Sequence, residues 1–368
     1  MRLGMFMMPV HPSGRPMRDT LAEDTTKSIL ADQLGYDELW MGEHFSATTE
    51  PFPSPLMFLA GLVPQTKNIL LGTAVINLPN HHPAVVAGEV AQFDHMSGGR
   101  FLFGIGSGGL ASDFELFQID PATRQRPFLE SIEMILRIWA QDPPYDITGE
   151  FWNVQIKKAI LPKLGVGFMP KPLQQPHPPI HISIASPDSA SAKLAGSRGW
   201  GVISGPVAPL YAVANHWQAY SEARRAAGQR ARSEDWRVSR LVIVAPTDAE
   251  AEARVYGEQA SNRYYCSYMR DAIAAANRLS MIKPRPDMTD EECTPEAIIK
   301  ECVIHGSPRT VLDRLVALRE RVGPFGTLLQ IGLDWSGPNE AWEREGMRLL
   351  AHEVMPKLSQ HAAAQAAE

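Results

Sequence analysis

Histidines cluster in the segments that follow three short apolar runs of the chain. His11 follows the first run, Glu43 and His44 follow the second, and His81 and His82 follow the third. An imidazole with an ordinary pKa of ~6.5 can donate or accept a proton near neutral pH, which suits acid–base catalysis. We therefore take His44, Glu43 and His11 as candidate catalytic residues. The alternative is that these histidines are surface or helix-capping residues.

The same residues raise the question of a metal site. Glu43, His44, His11 and His82 are all of types that bind zinc or iron. Their spacing matches no established metal motif, and we predict that the chain holds no metal.

Two further segments could bind a flat or phosphorylated ligand. The glycine-rich run 104–109 follows a fourth apolar segment, and glycines there would let the backbone approach a ligand closely. It is not a dinucleotide fingerprint, because no acidic partner for a ribose is suitably placed. Ser186 precedes Pro187 at a predicted helix start, with Ser189 in the first turn. Free N–H groups at such a helix end bind phosphate, although Ser186 could also be a simple capping residue.

The elements that must position these residues alternate regularly between apolar strands and helices. Strands are predicted at residues 3–8, 37–41, 69–76, 100–105, 179–185, 201–204, 237–245 and 327–332. Alternation of this kind indicates a parallel sheet, and eight units favour a closed (β/α)8 TIM barrel over an open doubly wound sheet. In such a barrel the active site lies on the loops after the strands, where the candidate residues are.

We predict one barrel domain over residues 1–358. An insertion after strand four, about 141–178, is rich in proline and carries two short β-like pieces, near 151–154 and 159–161. A polar segment at about 283–300 is predicted to be a mobile loop before the last strands. Residues 359–368, rich in Ala and Gln, are predicted to be a flexible tail.

Composition excludes several classes of function. The 368 residues include 35 Lys+Arg and 41 Asp+Glu, for a net charge of −6, and a basic block for nucleic acid is missing. Three cysteines without a C-x-x-C pair predict neither a disulfide framework nor a cysteine zinc site, so we expect a reducing cytoplasm. Apolar runs stay short of the ~18 residues of a membrane span. We predict neither a nucleic-acid nor a membrane partner.

Several segments together resemble the bacterial luciferase family of flavin-dependent monooxygenases. They are Leu3–Phe6, Leu34–His44, Leu71–Ile76 with His82-Pro83, Phe93–Phe101, Gly306–Pro308 and Val354–Leu358. The pair Glu43-His44 and the stretch Asp94–Arg100 are the most specific. Within the family the chain is most similar to the limonene monooxygenase group.

The resemblance implies a function, a cofactor and partners. Reduced FMN (FMNH2) would bind at the carboxyl ends of the strands and use O2, through a flavin C4a-hydroperoxide, to insert one oxygen atom into a small hydrophobic substrate. A separate NAD(P)H:flavin reductase would supply the reduced flavin, since the chain lacks a dinucleotide fingerprint. A homodimer is expected, with the helices near 55–63 and 83–95 between subunits.

The resemblance also assigns residues. Ala74-Val75 matches the family's pair joined by a cis peptide beneath the flavin ring, His44 matches the catalytic histidine, and Ser186 and Ser189 match positions that hold the FMN phosphate. Asn77, Gly106, Ser107 and Gly108 complete the predicted cofactor-binding set.

One departure concerns the phosphate. Gly106 and Ser107 stand where the luciferases have a cysteine and then a phosphate-binding arginine. Arg124 or Arg126 would have to supply the missing positive charge.

Two other functions fit the same fold. One is a deazaflavin-dependent oxidoreductase that transfers hydride without O2, and the other is a flavin-binding protein without turnover. The pair Glu43-His44 and the limonene-type resemblance favour FMN, and retention of His44 favours an enzyme.

Overall fold

Twelve β-strands lie in residues 1–187 and 190–367, the parts of the chain that the computed structural model describes. They are β1 (Arg2–Met7), β2 (Glu38–Met41), β3 (Leu70–Thr73), β4 (Ile76–Asn77), β5 (Phe101–Gly106), β6 (Tyr145–Thr148), β7 (Asn153–Ile156), β8 (Ile180–Ile184), β9 (Gly201–Ser204), β10 (Trp236–Val244), β11 (Val303–Gly306) and β12 (Thr327–Ile331). Strands such as β2 and β5 are buried along their whole length, which is why they are continuous apolar runs.

The α-helices of the described residues surround these strands. They are α1 (Met17–Gln33), α2 (Pro55–Leu62), α3 (Pro83–Met96), α4 (Ala111–Leu116), α5 (Gln125–Ala140), α6 (Ala190–Arg198), α7 (Leu210–Ala226), α8 (Asp248–Tyr256), α9 (Ser261–Ala275), α10 (Pro295–Cys302), α11 (Pro308–Val322), α12 (Asn339–Leu349) and α13 (Met355–Ala367). Local signals start several of them. Ser54 and Ser307, for example, cap α2 and α11 directly before a proline at the first helical position.

Eight of the strands close into a parallel barrel. The order is β1-β2-β3-β5-β8-β9-β10-β12, and β12 pairs back with β1. These are the eight strands that the sequence predicts, so the predicted (β/α)8 barrel is confirmed. The short strand β4 continues the third barrel strand and also pairs with β5.

A buried ion pair fills part of the barrel interior. The Arg237 guanidinium donates from Nε and Nη2 to the two carboxylate oxygens of Glu38, both at 2.7 Å. The Trp40 indole N–H donates to the same carboxylate at 2.8 Å. Burial opposes the charge on Glu38, but Arg237 outweighs it and holds the pKa of Glu38 below its usual range. Glu38 opens β2, so this pair lies at the end of the barrel opposite the candidate site.

The segment predicted to be a mobile loop is partly regular structure. Helix α10 occupies Pro295–Cys302, with Thr294 accepting a hydrogen bond from the Ala297 N–H, and β11 follows it directly. Strand β11 pairs with the end of β10, outside the eight-stranded ring, and the sequence does not predict it. The helix forms because Thr294-Pro295 is a strong start signal and because Ile298 and Ile299 are buried.

The insertion contains an antiparallel hairpin of β6 and β7. Its first predicted β-like piece, near 151–154, falls partly in the hairpin turn, and the second forms a single bridge between Leu161 and Val166. The Glu130 carboxylate of α5 accepts the backbone N–H groups of residues 150–152, which fixes the hairpin turn to the barrel.

The last helix differs from the prediction at its end. Helix α13 extends through Ala367, whereas the sequence predicts a flexible tail from residue 359. Alanine and glutamine are good helix formers, which explains the continuation. In the described residues, no helix is long and apolar enough to cross a membrane.

Candidate active site

The predicted site residues lie on loops at the carboxyl ends of adjacent barrel strands. His44 follows β2, Val75 precedes β4, Gly106 ends β5 and Ser186 follows β8. Because β2, β3, β5 and β8 are neighbours in the barrel, these loops share one side of its mouth. This is the position of active sites in (β/α)8 enzymes.

The third and fourth loops meet at Val75 and Gly106. The peptide bond between Ala74 and Val75 is cis, as the resemblance implies. A Cβ atom at Gly106 would lie 2.5 Å from Val75 Cγ2 and 3.7 Å from the side-chain oxygen of Asn77. Only glycine allows this close approach, so Ala74, Val75, Asn77 and Gly106 form one surface.

Glu43 holds the third loop in place. Its Oε2 accepts the Asn77 backbone N–H at 2.6 Å, and its backbone carbonyl accepts the Asn77 side-chain amide at 3.1 Å. Its Oε1 lies 2.5 Å from His81 Nε2. Both oxygens of this buried carboxylate are therefore occupied. The surroundings of Glu43 fit a positioning residue, and the catalytic role of Glu43 stays a prediction.

The predicted alternative of a metal cluster does not assemble. His82 is exposed and caps α3, its Nδ1 accepting the Ala84 N–H at 3.2 Å. His81, which the sequence does not single out, contacts Glu43 instead. The dipeptide His81-His82 offers two imidazoles, and only the loop geometry decides which of them faces the site.

His44 lies between two carboxylates that the sequence does not identify. Its Nε2 is 3.4 Å from Glu50 Oε2 and its Nδ1 is 3.6 Å from Asp113 Oδ2, while 17% of its side chain is exposed. Burial disfavours the charged ring, but the charges on Glu50 and Asp113 outweigh it and raise the pKa of His44 above 6.5. In the sequence, only the position of Asp113 just after the glycine-rich loop could have identified it as a partner of His44. No local pattern identifies Glu50.

His11 is fully engaged in hydrogen bonds. Its Nδ1 lies 2.7 Å from Asp334 and its Nε2 lies 2.9 Å from Asp24, and only 1% of the residue is exposed. Burial lowers its pKa, but the hydrogen bonds to Asp24 and Asp334 raise it to about 9. Neither ring nitrogen is left for a substrate. The geometry makes His11 part of an ion cluster, and the catalytic role of His11 stays a prediction.

Cations complete that cluster. His11, Glu23 and Asp24 bring three metal-ligand types together, with atoms within 4.8 Å of one another. The Lys27 ammonium lies 3.8 Å from both carboxylates, and Arg15 pairs with Glu23 at 2.8 Å. Protein cations therefore already balance these carboxylates.

The loop after β8 is anchored by α7. The backbone carbonyl of Ser186 accepts a hydrogen bond from His216 Nε2 at 2.9 Å, and the Pro187 carbonyl accepts one from the Asn215 side chain at 2.7 Å. Burial lowers the pKa of His216 to about 4, so the ring is neutral. Its Nδ1 then accepts from the Ser204 hydroxyl at 3.0 Å. Ser189, the other predicted phosphate residue, lies outside the described residues.

The two arginines proposed to replace the family's arginine have different surroundings. Arg126 pairs with Glu150 on the hairpin and is 60% exposed. Arg124 stays beside the glycine-rich loop, with its guanidinium carbon 5.8 Å from the centre of the Phe114 ring. A Cβ at Gly108, whose φ is +88°, would lie 2.9 Å from that same ring.

Arg124 has unused capacity for an anion. Its buried Nε has no hydrogen-bond partner among the described residues, while Nη1 donates to the Pro121 carbonyl. Burial, and then the nearby positive charge of Arg278, lower the pKa of Arg124. Next to it, the Ser107 hydroxyl accepts a hydrogen bond from the Gln125 side chain at 3.0 Å.

Fold and site together define a (β/α)8 barrel with His44 on a loop at the carboxyl ends of the strands. The sequence model of the family described as luciferase-like monooxygenase matches residues 1–324. The chain therefore belongs to this family, and it is a flavin-dependent monooxygenase.

Curated relatives agree with this membership over nearly the whole chain. A 4-hydroxyprotoasukamycin monooxygenase of Streptomyces nodosus subsp. asukaensis is 31% identical over 364 residues, covering 97% of this chain and 92% of the relative. Limonene 1,2-monooxygenase of Rhodococcus erythropolis is 29% identical over 357 residues, covering 96% and 85%. The resemblance seen in the sequence is confirmed.

A solved relative has the same fold. It is the oxygenating constituent of 3,6-diketocamphane monooxygenase from Pseudomonas putida, a type II Baeyer–Villiger monooxygenase solved in complex with FMN. It superposes with a TM-score of 0.83, at 29% identity and with 97% and 98% of the two chains covered. An F420-dependent secondary alcohol dehydrogenase has a TM-score of 0.68 at 19% identity, a likeness of fold alone.

Proposed function

We propose that this chain is the oxygenase component of a two-component system that uses reduced FMN and O2 to insert one oxygen atom into a small hydrophobic substrate. The observation that carries the proposal is the meeting of the third and fourth loops at Val75 and Gly106, with the partly exposed His44 on the neighbouring second loop. The loops at Val75 and Gly106 would take a ring system, and His44 would supply a proton donor.

The residues present fit FMN. The surface at Val75 and Gly106 would contact the ring system, and the Ser186 loop and Arg124 would hold the phosphate. The orphaned Arg124 Nε supports this assignment, because a phosphate oxygen would supply its missing acceptor. When bound, reduced FMN would supply the electrons that activate O2.

Apolar side chains would keep water from the reacting atoms. Phe45 packs edge-on against Phe117 with ring centres 4.8 Å apart, and it also contacts His81. Phe6 and Val10 belong to a buried apolar cluster with Ile282 and Met288, from the segment between α9 and α10. A dry site favours oxygen transfer over loss of hydrogen peroxide. The relatives named for limonene and diketocamphane suggest a ring alkene or ketone as substrate.

Two partners follow from the same proposal. A separate NAD(P)H:flavin reductase would deliver reduced FMN, since the solved relative is described as an oxygenating constituent. A second copy of the chain would cover exposed apolar side chains on α2, α3 and the neighbouring insertion, namely Met57, Val85, Met96, Leu161, Leu164, Val166, Phe168 and Leu173. A monomeric mass by light scattering would contradict the homodimer.

The test is an anaerobic titration with reduced FMN, oxidised FMN, FAD and a deazaflavin. We expect reduced FMN to bind most tightly and FAD poorly, because the proposed phosphate site serves a single phosphate. Arg124→Ala should weaken the binding of FMN about 10- to 100-fold. A hydrogen bond to a charged group contributes roughly 1.5–3 kcal/mol, which corresponds to that change in affinity. Arg126→Ala is the matched control and should leave the affinity unchanged.

Other outcomes would contradict the proposal in distinguishable ways. A preference for the deazaflavin would favour hydride transfer on the same fold. Equal affinity for FMN and FAD, or a larger loss in Arg126→Ala than in Arg124→Ala, would place the phosphate elsewhere.

A further inference from the structure

Glu50 is brought to His44 by a tight fold of the second loop. The Glu50 N–H donates to the Ala47 carbonyl at 3.2 Å, and the Phe52 N–H donates to the Glu50 carbonyl at 2.8 Å. The His44 N–H in turn donates to the Phe52 carbonyl at 3.0 Å. These backbone bonds return the loop onto itself, so Glu50 lies close to His44 although it is six positions further along the chain.

The Glu50 carboxylate is buried, and the neutral Tyr268 hydroxyl donates a hydrogen bond to it. Only 4% of the residue is exposed, and its Oε2 accepts no hydrogen bond within the described residues. A neutral donor does not balance the charge of a buried carboxylate, so a nearby positive charge must compensate it. The imidazole of His44 is 3.4 Å away and is the group able to carry that charge.

Other titratable groups around the pair do not replace His44. Tyr265 and Tyr268 face Glu50 from α9, and for both of them burial first, and the Glu50 charge second, raise the hydroxyl pKa. They therefore stay neutral. Glu43, which also faces His44, is already bound by Asn77 and His81.

Asp113 supports His44 from the opposite side of the ring. Its Oδ1 accepts the Ser46 N–H at 2.9 Å, and its Oδ2 lies 3.6 Å from His44 Nδ1. The distances from the His44 ring nitrogens to Glu50, 3.4 Å, and to Asp113, 3.6 Å, both exceed the ~2.7–2.9 Å of a charge-assisted hydrogen bond. The two carboxylates can thus stabilise a charged ring without holding its N–H groups in short hydrogen bonds.

We propose that Glu50 is a positioning residue that favours the protonated form of His44, so that the imidazolium offers an N–H donor to an oxygen atom at the barrel mouth. The part of this inference that concerns oxygen chemistry rests on the proposed function. The charge state of His44 does not, and it can be measured in the protein without flavin.

The first measurement is a pH titration of the His44 ring by NMR, with His44→Asn to assign its signal. The wild-type midpoint should lie above 6.5, and Glu50→Gln should lower it by about one pH unit, the lower end of the effect of a close charge. Glu115→Gln is the matched control, because Glu115 is an exposed carboxylate on the same short helix as Asp113. Its midpoint should equal that of the wild type.

Two results would overturn the inference at this stage. One is a midpoint in Glu50→Gln equal to that in Glu115→Gln. The other is a wild-type midpoint at or below 6.5, which is decisive even where Glu50→Gln does not fold.

The second measurement follows hydrogen peroxide release after reduced FMN and O2 are mixed with each variant over a range of pH. Glu50→Gln should move the pH dependence of the rate to lower pH by the same amount as the NMR midpoint, with FMN affinity unchanged. A shifted NMR midpoint with an unshifted rate profile would show that Glu50 does not serve the oxygen reaction. Failure of every variant to bind reduced FMN would instead count against the proposed function and leave the titration result intact.

Discussion

At the scale of single residues, the site separates histidines that look equivalent in the sequence. His11 is sealed between Asp334 and Asp24, His82 caps a helix at the surface, and His81 is held by Glu43. His44 keeps 17% of its side chain open and faces its two carboxylates at longer range. The longer distances from both ring nitrogens to their carboxylates, rather than residue type, therefore make His44 the candidate for direct contact with reacting atoms.

The residue-scale prediction concerns His44→Ala. We expect FMN affinity within a few-fold of the wild type and a loss of oxygenated product of ~10²–10⁴-fold, the usual contribution of a positioned acid–base group. Product and hydrogen peroxide would be measured with limonene and a diketocamphane as trial substrates, and the peroxide share should rise. His82→Ala is the matched control. Near-normal oxygenation by a folded His44→Ala protein would make His44 structural.

At the scale of elements, a helix fixes the position of a loop that follows a barrel strand. Helix α7 fixes the Ser186 loop through Asn215 and His216, and His216 is itself oriented by Ser204 of β9. The Trp236 indole donates to the same Ser204 hydroxyl at 2.9 Å, so two strands and one helix determine the position of one carbonyl. Ser186 and Pro187 are therefore anchored to α7 through their backbone carbonyls.

The element-scale prediction is that His216→Ala weakens FMN binding about tenfold, since one lost hydrogen bond of roughly 1–1.5 kcal/mol leaves the Ser186 loop less ordered. Stability should also fall, because the Ser186 carbonyl and the Ser204 hydroxyl lose a buried partner. Gln218→Ala, at an exposed position of the same helix, is the control. The measurement is the FMN dissociation constant. An unchanged value in His216→Ala would show that the contacts of α7 do not support the cofactor site.

At the scale of the whole molecule, the ion cluster at His11 joins the first and the last strand units of the barrel. His11 follows β1 and Asp334 follows β12, the pair of strands that closes the ring. Arg15 bridges Glu23 and Asp334, and Lys27 lies 3.5 Å from Glu343 on α12. The cluster thus connects helices from the first and last units of the chain, where no covalent link exists.

This cluster predicts a pH-dependent stability. The pKa of His11 is about 9 in the folded protein and ~6.5 when unfolded. Because this pKa is higher in the folded protein, protonated His11 stabilises the fold fully below pH 6.5. That stabilisation is lost as the pH rises through 9. The loss is on the order of 3 kcal/mol. Urea unfolding at pH 6 and pH 9.5 measures it: the difference between wild type and His11→Gln should shrink at the higher pH.

The control for that experiment is His352→Gln, since His352 is exposed. Its difference from the wild type should be small and should not depend on pH. A His11→Gln difference that is the same at both pH values would mean that His11 is buried as a neutral ring.

The sequence by itself determined the barrel. Each strand is a local run of apolar residues, and each following helix has its own capping and periodicity signals, so neighbouring residues carry this information. The glycine loop, the cis peptide at Ala74-Val75 and the candidate His44 could be placed in the same way, because they follow directly from strand ends and from the resemblance to the family.

Only the tertiary structure decided what surrounds each candidate. His11 meets Asp334 across 323 positions of the chain, Arg126 is drawn to Glu150 on the hairpin, and Glu50 reaches His44 through a loop fold with no sequence signature. Charge state and availability depend on burial and on partners brought together by folding, and local patterns do not encode those distances. For that reason the sequence predicted the strands and the loops that follow them, but not which side chains in those loops are left without close partners.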